Sequence, residues 1–384
     1  MNYLINLYNQ VGAGPRNISL NLIAELRRQQ FSNRNFYVIV PDFEEYHSLE
    51  SAPSLTLIKL PRYESLWMKV LFRLYLDFIK LPQLVKHFEI GSVLAFGNFL
   101  IAPVKARKTV LLHHPYIFDD RQMARLPLFA RSVERLKRLA FGMTLRNVDN
   151  VVVQSEYVLE RLRAKWPWYR GGVHVIENPI SRRLGEVSDG LAEAYIAARM
   201  ASMSDVITLL YVSRFYPHKN HEFLLPLSRA LQARGLQHRI LVTIDPRIEG
   251  VLPLLDQIKA SGLPIFNLGE IDQAALREHY AKAHAILFPS HSETFGNPLV
   301  EAIGFGLPVI VPDLEYAHAV LAKAGLYYAE DDAEECAERI LALMKDVDNY
   351  EIISRDARRR FSRFLPADIW TQRYLELIIG GKLN

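Results

Sequence analysis

At 384 residues the chain is longer than one comfortable core, and two domains of about 180 residues are expected. Half of the residues are apolar and 23% are charged, the composition of a soluble globular protein, and no apolar run reaches the roughly 18–20 residues of a membrane-spanning helix. The net charge of +4 hides an asymmetry: residues 1–185 hold 26 Lys+Arg against 15 Asp+Glu (+11), and the remainder holds 20 against 27 (−7).

Taken in order, Asn2–Asn9 has a strand pattern and enters it without a basic segment or cleavage site, so no secretory signal is expected. With the single Cys336, which excludes an intrachain disulfide and fits a reducing compartment, the expected location is cytoplasmic. The turn Val11-Gly12-Ala13-Gly14 follows, then a helical pattern through Ile18–Gln29. A dinucleotide fingerprint would need a third glycine at Asn17, so Gly12 and Gly14 either permit close backbone approach to a ligand or only make a tight turn.

Phe36–Val40, Leu55–Leu60, Val93–Phe96 and Thr109–Leu112 continue the strands. Between Glu64 and Phe88 lies a cationic helical stretch carrying Trp67, Leu71, Leu74 and Phe78. Thr109–Leu112 runs into His113-His114-Pro115. Arg121–Arg146 is the most cationic segment, with seven Lys/Arg against Glu134 and an apolar side supplied by Leu126, Leu128, Phe129, Val133, Leu136, Leu139 and Phe141. Such a helix either lies on an anionic membrane or packs on the sheet with its basic face in water. Val151–Val153 and Val173–Ile176 are strands around a helix at Glu156–Trp166, and residues 186–205 read as a linker.

The strand Ile207–Val212 opens a second domain and leads into Ser213-Arg214-Phe215-Tyr216-Pro217-His218-Lys219-Asn220. Pro226 is expected to kink the helix that follows. Strand and helix patterns then alternate to Ala285–Asp313, AILFPSHSETFGNPLVEAIGFGLPVIVPD. This stretch reads as strand, loop, short helix, strand, with Asn297 as N-cap, Pro298 at the first helical position, and Gly304 and Gly306 as stop signals. A helix start beyond a strand end suits an anion, and in open α/β sheets ligands bind there. Glu293 and Glu301, seven residues apart, frame that corner.

In this context the stretch resembles the signature of retaining glycosyltransferases of family 4, which have the two-domain GT-B fold. The resemblance implies two doubly wound Rossmann-like domains facing a cleft: an acceptor domain at 1–185, joined by the C-terminal segment 366–384, and a donor domain at 206–365. It implies transfer of a hexose-type sugar from a nucleoside diphosphate sugar to a glycan or lipid-linked acceptor, in polysaccharide or lipopolysaccharide synthesis, with no metal and no other cofactor. By the family's pattern Arg214 and Lys219 neutralise the departing diphosphate, a role that a cationic pair fills physically. Glu293 faces the sugar, Glu301 holds the ribose diol, and the backbone of Phe295, Gly296, Asn297 and Pro298 meets sugar and diphosphate. Ile271 lies where the backbone meets the nucleobase, Gly12 and Gly14 line the approach to the donor, and His114, or else His113, faces the sugar; His114 is the first choice, although the doublet leaves the register open. Thr294 departs from the family's usual glycine.

The basic N-terminal half makes an anionic membrane surface a candidate partner, which would place the protein peripherally on the inner face of a membrane. Nucleic acid is not expected, because the basic residues belong to no recognition motif. Asp346-Val347-Asp348 lies between helical patterns and reads as a surface turn, and His218 with His221 lacks further ligands for zinc. Other readings are a sugar-nucleotide epimerase or a phosphorylase on the same fold, or a non-catalytic nucleotide-sugar-binding protein.

Overall fold

Two parallel sheets, one in each of two units, organise the chain in the computed structural model, which describes residues 1–29, 31, 33–180 and 184–380. One unit comprises Met1–Pro179 with Leu365–Asn384, the other Ile180–Phe364. Of the segment 366–384, residues 381–384 lie outside the described residues.

The first unit contains strands β1 (Asn2–Asn6), β2 (Asn35–Pro41), β3 (Leu55–Leu60), β4 (Ile90–Phe96), β5 (Arg107–Leu111), β6 (Asn150–Val153) and β7 (Gly172–Val175). They form one parallel sheet in the order β3-β2-β1-β4-β5-β6-β7. Successive strand residues point to opposite faces, so Leu4, Val93, Ala95 and Val151 join one core layer, whereas Tyr3, Ile5, Leu94 and Val152 join the other. Helix α1 (Ala13–Arg28) packs in the second layer. The first layer takes residues of the cationic stretch, which folds as α2 (Leu66–Tyr75), a π-helical turn (Leu76–Lys80) and α3 (Leu81–His87). The segment Arg121–Arg146 divides at Pro127 into α4 (Asp120–Arg125) and α5 (Leu128–Leu145), and Phe141 and Leu145 of α5 enter that first layer with Val158 and Leu162 of α6 (Glu156–Lys165).

The stretch 186–205, expected as a linker, is largely helix α7 (Asp189–Ala201) and belongs to the second unit. Ser188 caps it by accepting from the Leu191 N–H at 3.3 Å. Arg199 is buried and donates from Nη2 to the carbonyls of Phe305 and Gly306 at 2.8 and 3.1 Å. The helix is alanine-rich, so it carries no strong apolar period. The first unit accordingly ends at Pro179, not at 185.

The second unit's strands are β8 (Ile207–Tyr211), β9 (His238–Val242), β10 (Ile265–Asn267), β11 (Ala285–Leu287), β12 (Val309–Pro312) and β13 (Gly325–Tyr328), parallel in the order β10-β9-β8-β11-β12-β13. Its further helices are α8 (Leu224–Ala233), α9 (Val251–Ser261), α10 (Gln273–Lys282), α11 (Asn297–Gly304), α12 (Glu315–Leu321), α13 (Ala333–Lys345) and α14 (Val347–Phe361). Pro226 does not kink α8: a 3-10 turn at His221–Phe223 precedes the helix, so the proline falls in its first turn, where a missing N–H costs nothing. Strand order reverses between β8 and β11, the place where open α/β sheets bind ligands. The last helix, α15 (Ala367–Ile379), returns to the first unit and adds Trp370, Tyr374 and Leu375 to its second core layer.

Candidate active site

Two loops leave the sheet of the second unit on either side of that reversal, 212–223 after β8 and 288–296 after β11. The His218 carbonyl fastens them together by accepting the His291 N–H at 2.8 Å and the Ser290 hydroxyl at 3.1 Å. Lys219 is set by a 3-10 turn over Pro217–Lys219, and Asn220 after it takes the left-handed conformation (φ 54°). The Tyr211 hydroxyl donates to the Lys219 carbonyl.

This clasp brings together two of the expected residues. The Lys219 ammonium is ion-paired with Glu293 Oε1, and both side chains are largely buried. The ammonium also lies 5.2 Å from the centroid of the Phe288 ring. Arg214 stays exposed on the same loop. The Asp245 carboxyl is held below its ordinary range, chiefly by its hydrogen bond from Arg247 and in part by the charge of Arg214.

Helix α11 begins beside this pair. Its cap is Gly296 rather than Asn297: Gly296 takes φ 81°, which only glycine adopts without strain, and its carbonyl accepts the Leu299 N–H at 2.9 Å. A Cβ there would meet Leu299 Cδ1 at 3.0 Å. Pro298 stands in the first turn as expected. Phe295 is buried with its ring against Phe364, centroids 5.8 Å apart.

Glu301 is buried on α11 and accepts the Tyr280 hydroxyl on Oε2 at 2.8 Å. Burial raises its pKa, and hydrogen bonds from Tyr280 and Gln273, both on α10, oppose that rise. A carboxylate has room for further donors beside these two. Ile271 lies half-buried just before α10, in a loop fixed at one side by Asn267, whose Oδ1 accepts the N–H groups of Ile244 (2.9 Å) and Gly269 (3.1 Å), and at the other by Asp272, which caps α10.

In the first unit, Gly12 caps α1 in an extended conformation (φ −77°) and Gly14 lies in its first turn, so neither is there for a left-handed backbone. The histidine doublet divides. His114 Nε2 lies 2.6 Å from Glu134 Oε2, and Lys137 holds the other oxygen of Glu134 at 2.6 Å. Burial disfavours the Glu134 charge, yet the hydrogen bonds and charges of His114 and Lys137 keep its pKa below the usual range. His113 donates its backbone N–H to Asn98 Oδ1 at 2.8 Å, while its ring Nδ1 has no partner among the described residues. Burial, with the adjacent His114, lowers the His113 pKa to about 4, so the ring is neutral at pH 7.

Tyr280, Gln273 and Glu134 were not singled out from the sequence, because a tyrosine, glutamine or glutamate within a helix has no local signal of its partner. The two histidines set aside as a zinc pair pack against aromatic rings. His218 stacks on Tyr216 (5.6 Å), and His221 lies between Tyr211 (4.8 Å) and Phe215 (5.4 Å) with both ring nitrogens unpartnered among the described residues. Asp346 caps α14 by accepting the Asn349 N–H at 2.9 Å, which accounts for its part of the Asp-x-Asp. Ligand-type atoms of His291, Glu330 and Asp331 gather within 4.8 Å, where Asp331 already bonds His291 (2.7 Å) and Asn220 (2.9 Å).

Residues 198–360 match the family model of glycosyl transferases group 1. The O-antigen chain mannosyltransferase RfbU of Salmonella typhimurium is 29% identical over 137 residues, 32% of this chain and 34% of that protein. The chain spans about a third of the length of the curated relatives it matches. Among solved structures, sucrose-phosphate synthase from Thermosynechococcus elongatus superposes with a TM-score of 0.73 at 18% identity, covering 99% of this chain and 98% of that one. Anabaena Alr3699/HepE, solved in complex with UDP and glucose, gives 0.71 at 17%, covering 98% and 99%. The fold is therefore GT-B, two Rossmann-like units with parallel sheets, as the sequence led one to expect.

Proposed function

We propose that this chain is a glycosyltransferase that moves a hexose-type sugar, with retention and without a metal, from a nucleoside diphosphate donor to a glycan or lipid-linked acceptor in polysaccharide or lipopolysaccharide synthesis. The observation that carries the reading is the corner at the sheet reversal of the second unit, where the paired Lys219 and Glu293 adjoin the start of α11 and Glu301 lies one turn inside it. The group 1 match over residues 198–360 covers this same corner.

In this reading the diphosphate takes Lys219 and Arg214 as counter-charges, and its arrival releases Glu293 from the lysine to orient hydroxyls of the sugar. The bond from the anomeric carbon to the diphosphate oxygen breaks, and a bond from that carbon to the acceptor hydroxyl oxygen forms on the same face. The hydroxyl proton leaves on the diphosphate side, where the growing negative charge is neutralised by the two cations. Glu301, steadied by Tyr280 and Gln273, accepts the ribose diol, and the backbone of 295–298 and of Ile271 meets sugar, diphosphate and base. Of the doublet, His114 is engaged through Nε2 by Glu134, whereas His113 Nδ1 has no partner among the described residues, which favours His113 for the role facing the sugar.

The test is to incubate the protein with a panel of nucleoside diphosphate sugars in the presence of a chelator and to follow nucleotide release. Turnover with one of them, lost in Lys219→Ala, supports the reading. Tight nucleotide binding with no turnover on any sugar and acceptor would instead favour a binding protein.

A further inference from the structure

Helices α2 and α5 both cover the same face of the first unit's sheet, since Phe72 and Leu76 on one side and Phe141 and Leu145 on the other pack into one core layer. They also meet the same connection between β4 and β5. Arg73 donates to the Phe99 carbonyl at 2.7 Å, and Thr144 accepts the Leu100 N–H at 3.2 Å. Each helix therefore has an inner stripe in the core and an outer stripe away from it.

A helix covering a sheet normally turns a polar outer stripe to water; these two turn apolar ones. On α5, Leu128, Phe129, Leu136 and Leu139 are 78%, 79%, 67% and 68% exposed. With Val133 and Met143 they fall within an arc of about 140° at 100° per residue, opposite the buried Phe141 and Leu145. On α2 and the π-helical turn after it, Trp67 is 77% exposed, and Leu71, Leu74 and Phe78 share its side of the helix. Contiguous apolar patches of this kind mark interaction surfaces on soluble proteins.

The charge around the patches selects the partner. Residues 66–87 hold Lys69, Arg73, Lys80 and Lys86 against Asp77, which is buried and paired with Arg73 at 3.0 Å. Helix α5 holds Arg131, Arg135, Lys137 and Arg138 against Glu134, which is turned inward to His114 and Lys137. Each segment thus sums to 4 − 1 = +3. A second copy laid on this face would set cation against cation. An anionic lipid surface satisfies both features, taking the apolar side chains among the acyl chains and the basic groups among the headgroups.

We propose that the outer faces of α2 and α5 form one docking surface that inserts into the interfacial layer of an anionic bilayer, with Trp67 and Phe129 among the side chains that enter it. Aromatic side chains favour that layer. This inference stands apart from the catalytic reading: a chain that binds vesicles and transfers no sugar still supports it.

The experiment is sedimentation of the full chain with vesicles of phosphatidylcholine alone and of phosphatidylcholine with phosphatidylglycerol, at low salt and at 1 M NaCl. Binding to the anionic vesicles is expected, weakened but not abolished at high salt, where the screening length falls to roughly 3 Å. The double variants Phe129→Ser/Leu136→Ser and Trp67→Ser/Leu71→Ser should each reduce partitioning by about tenfold or more, because every inserted apolar side chain contributes to it. Both should keep the circular dichroism and thermal unfolding of the parent. Tryptophan emission should shift to the blue on adding anionic vesicles, and the shift should vanish in Trp67→Phe. No sedimentation with either vesicle, equal binding to the neutral ones, or unchanged partitioning in both folded double variants would overturn the proposal. A concentration-dependent dimer, seen by sedimentation equilibrium and abolished by the same variants, would assign the surface to a second copy instead.

Discussion

Lys219 and Glu293, 74 positions apart in the chain, form an ion pair that ties the loop after β8 to the loop after β11, with both side chains largely out of water. A pair in such a place is costly to break from one side, because the partner left behind keeps its charge without compensation. Lys219→Ala should therefore lower turnover by about 10²–10³-fold, the effect of removing one charge-stabilising donor, and lower the unfolding free energy by about 3 kcal/mol. Adding Glu293→Gln should recover much of the stability and none of the turnover, a non-additivity readable by thermal unfolding beside a nucleotide-release assay. Equal losses of both in the double variant would break the assignment.

Tyr280 bears on Glu301 in a way that a pH titration can read. The Glu301 carboxyl is raised by burial and held down by its hydrogen bonds from Tyr280 and Gln273. In the proposed role of accepting a ribose diol it must be ionised, so donor binding should be full above its pKa and be lost as pH falls through it. Tyr280→Phe removes one hydrogen bond to the charged form, so the loss should begin at a higher pH. At neutral pH, nucleotide affinity measured by calorimetry should fall by about 10-fold or more, the equivalent of a hydrogen bond to a charged group. An unchanged pH profile would show that the tyrosine only fills space.

The histidine doublet should separate by assay. His113→Ala removes a neutral ring whose Nδ1 is unpartnered among the described residues, so it should reduce turnover by about 10²-fold and leave the melting temperature within a few degrees. His114→Ala removes a partner of Glu134, so it should cost stability first. A reversed pattern in differential scanning calorimetry and kinetics would exchange the two roles.

His221 predicts sensitivity to acid. Enclosed by Tyr211 and Phe215, its pKa is lowered to about 3 by burial and by the charge of Lys219. The unfolded chain, with an ordinary imidazole pKa near 6.5, binds the proton more readily than the folded one between those values. Stability should thus be unaffected by this group above about pH 6.5 and should decline as pH falls toward 3. His221→Phe should flatten that decline in melting curves recorded between pH 7 and 4; a parallel curve would remove His221 as its source.

Both sheets were legible in the sequence because their central strands are buried on both sides and so appear as unbroken apolar runs, such as Val151–Val153 and Ala285–Phe288. Helix α11 was legible from its punctuation, although its cap proved to be Gly296, one position before the residue a side-chain rule selects. Helix α7 was not, because alanines carry no period and its anchor is Arg199, a residue type that signals surface. Periodicity also finds the apolar stripe of α5 without saying which side it faces; burial of Phe141 and exposure of Phe129 do that. The joining of Lys219 to Glu293, and of Tyr280 to Glu301, spans 74 and 21 positions. Such pairings follow from strand order, which no local pattern contains.

The return of α15 bears on how the molecule is made. Trp370, Tyr374, Leu375 and Ile378 lie in the core layer shared with Leu22, Ile23 and Phe96. A ribosome that has released residues 1–179 has thus supplied a sheet with one side incompletely covered, and the covering helix emerges only after all of the second unit. The second unit, contiguous over Ile180–Phe364, can close as it is synthesised. The first must wait, with apolar surface open to chaperones in the meantime. A released chain ending before Leu365 should remain sensitive to protease in its first 179 residues, and the full chain should not.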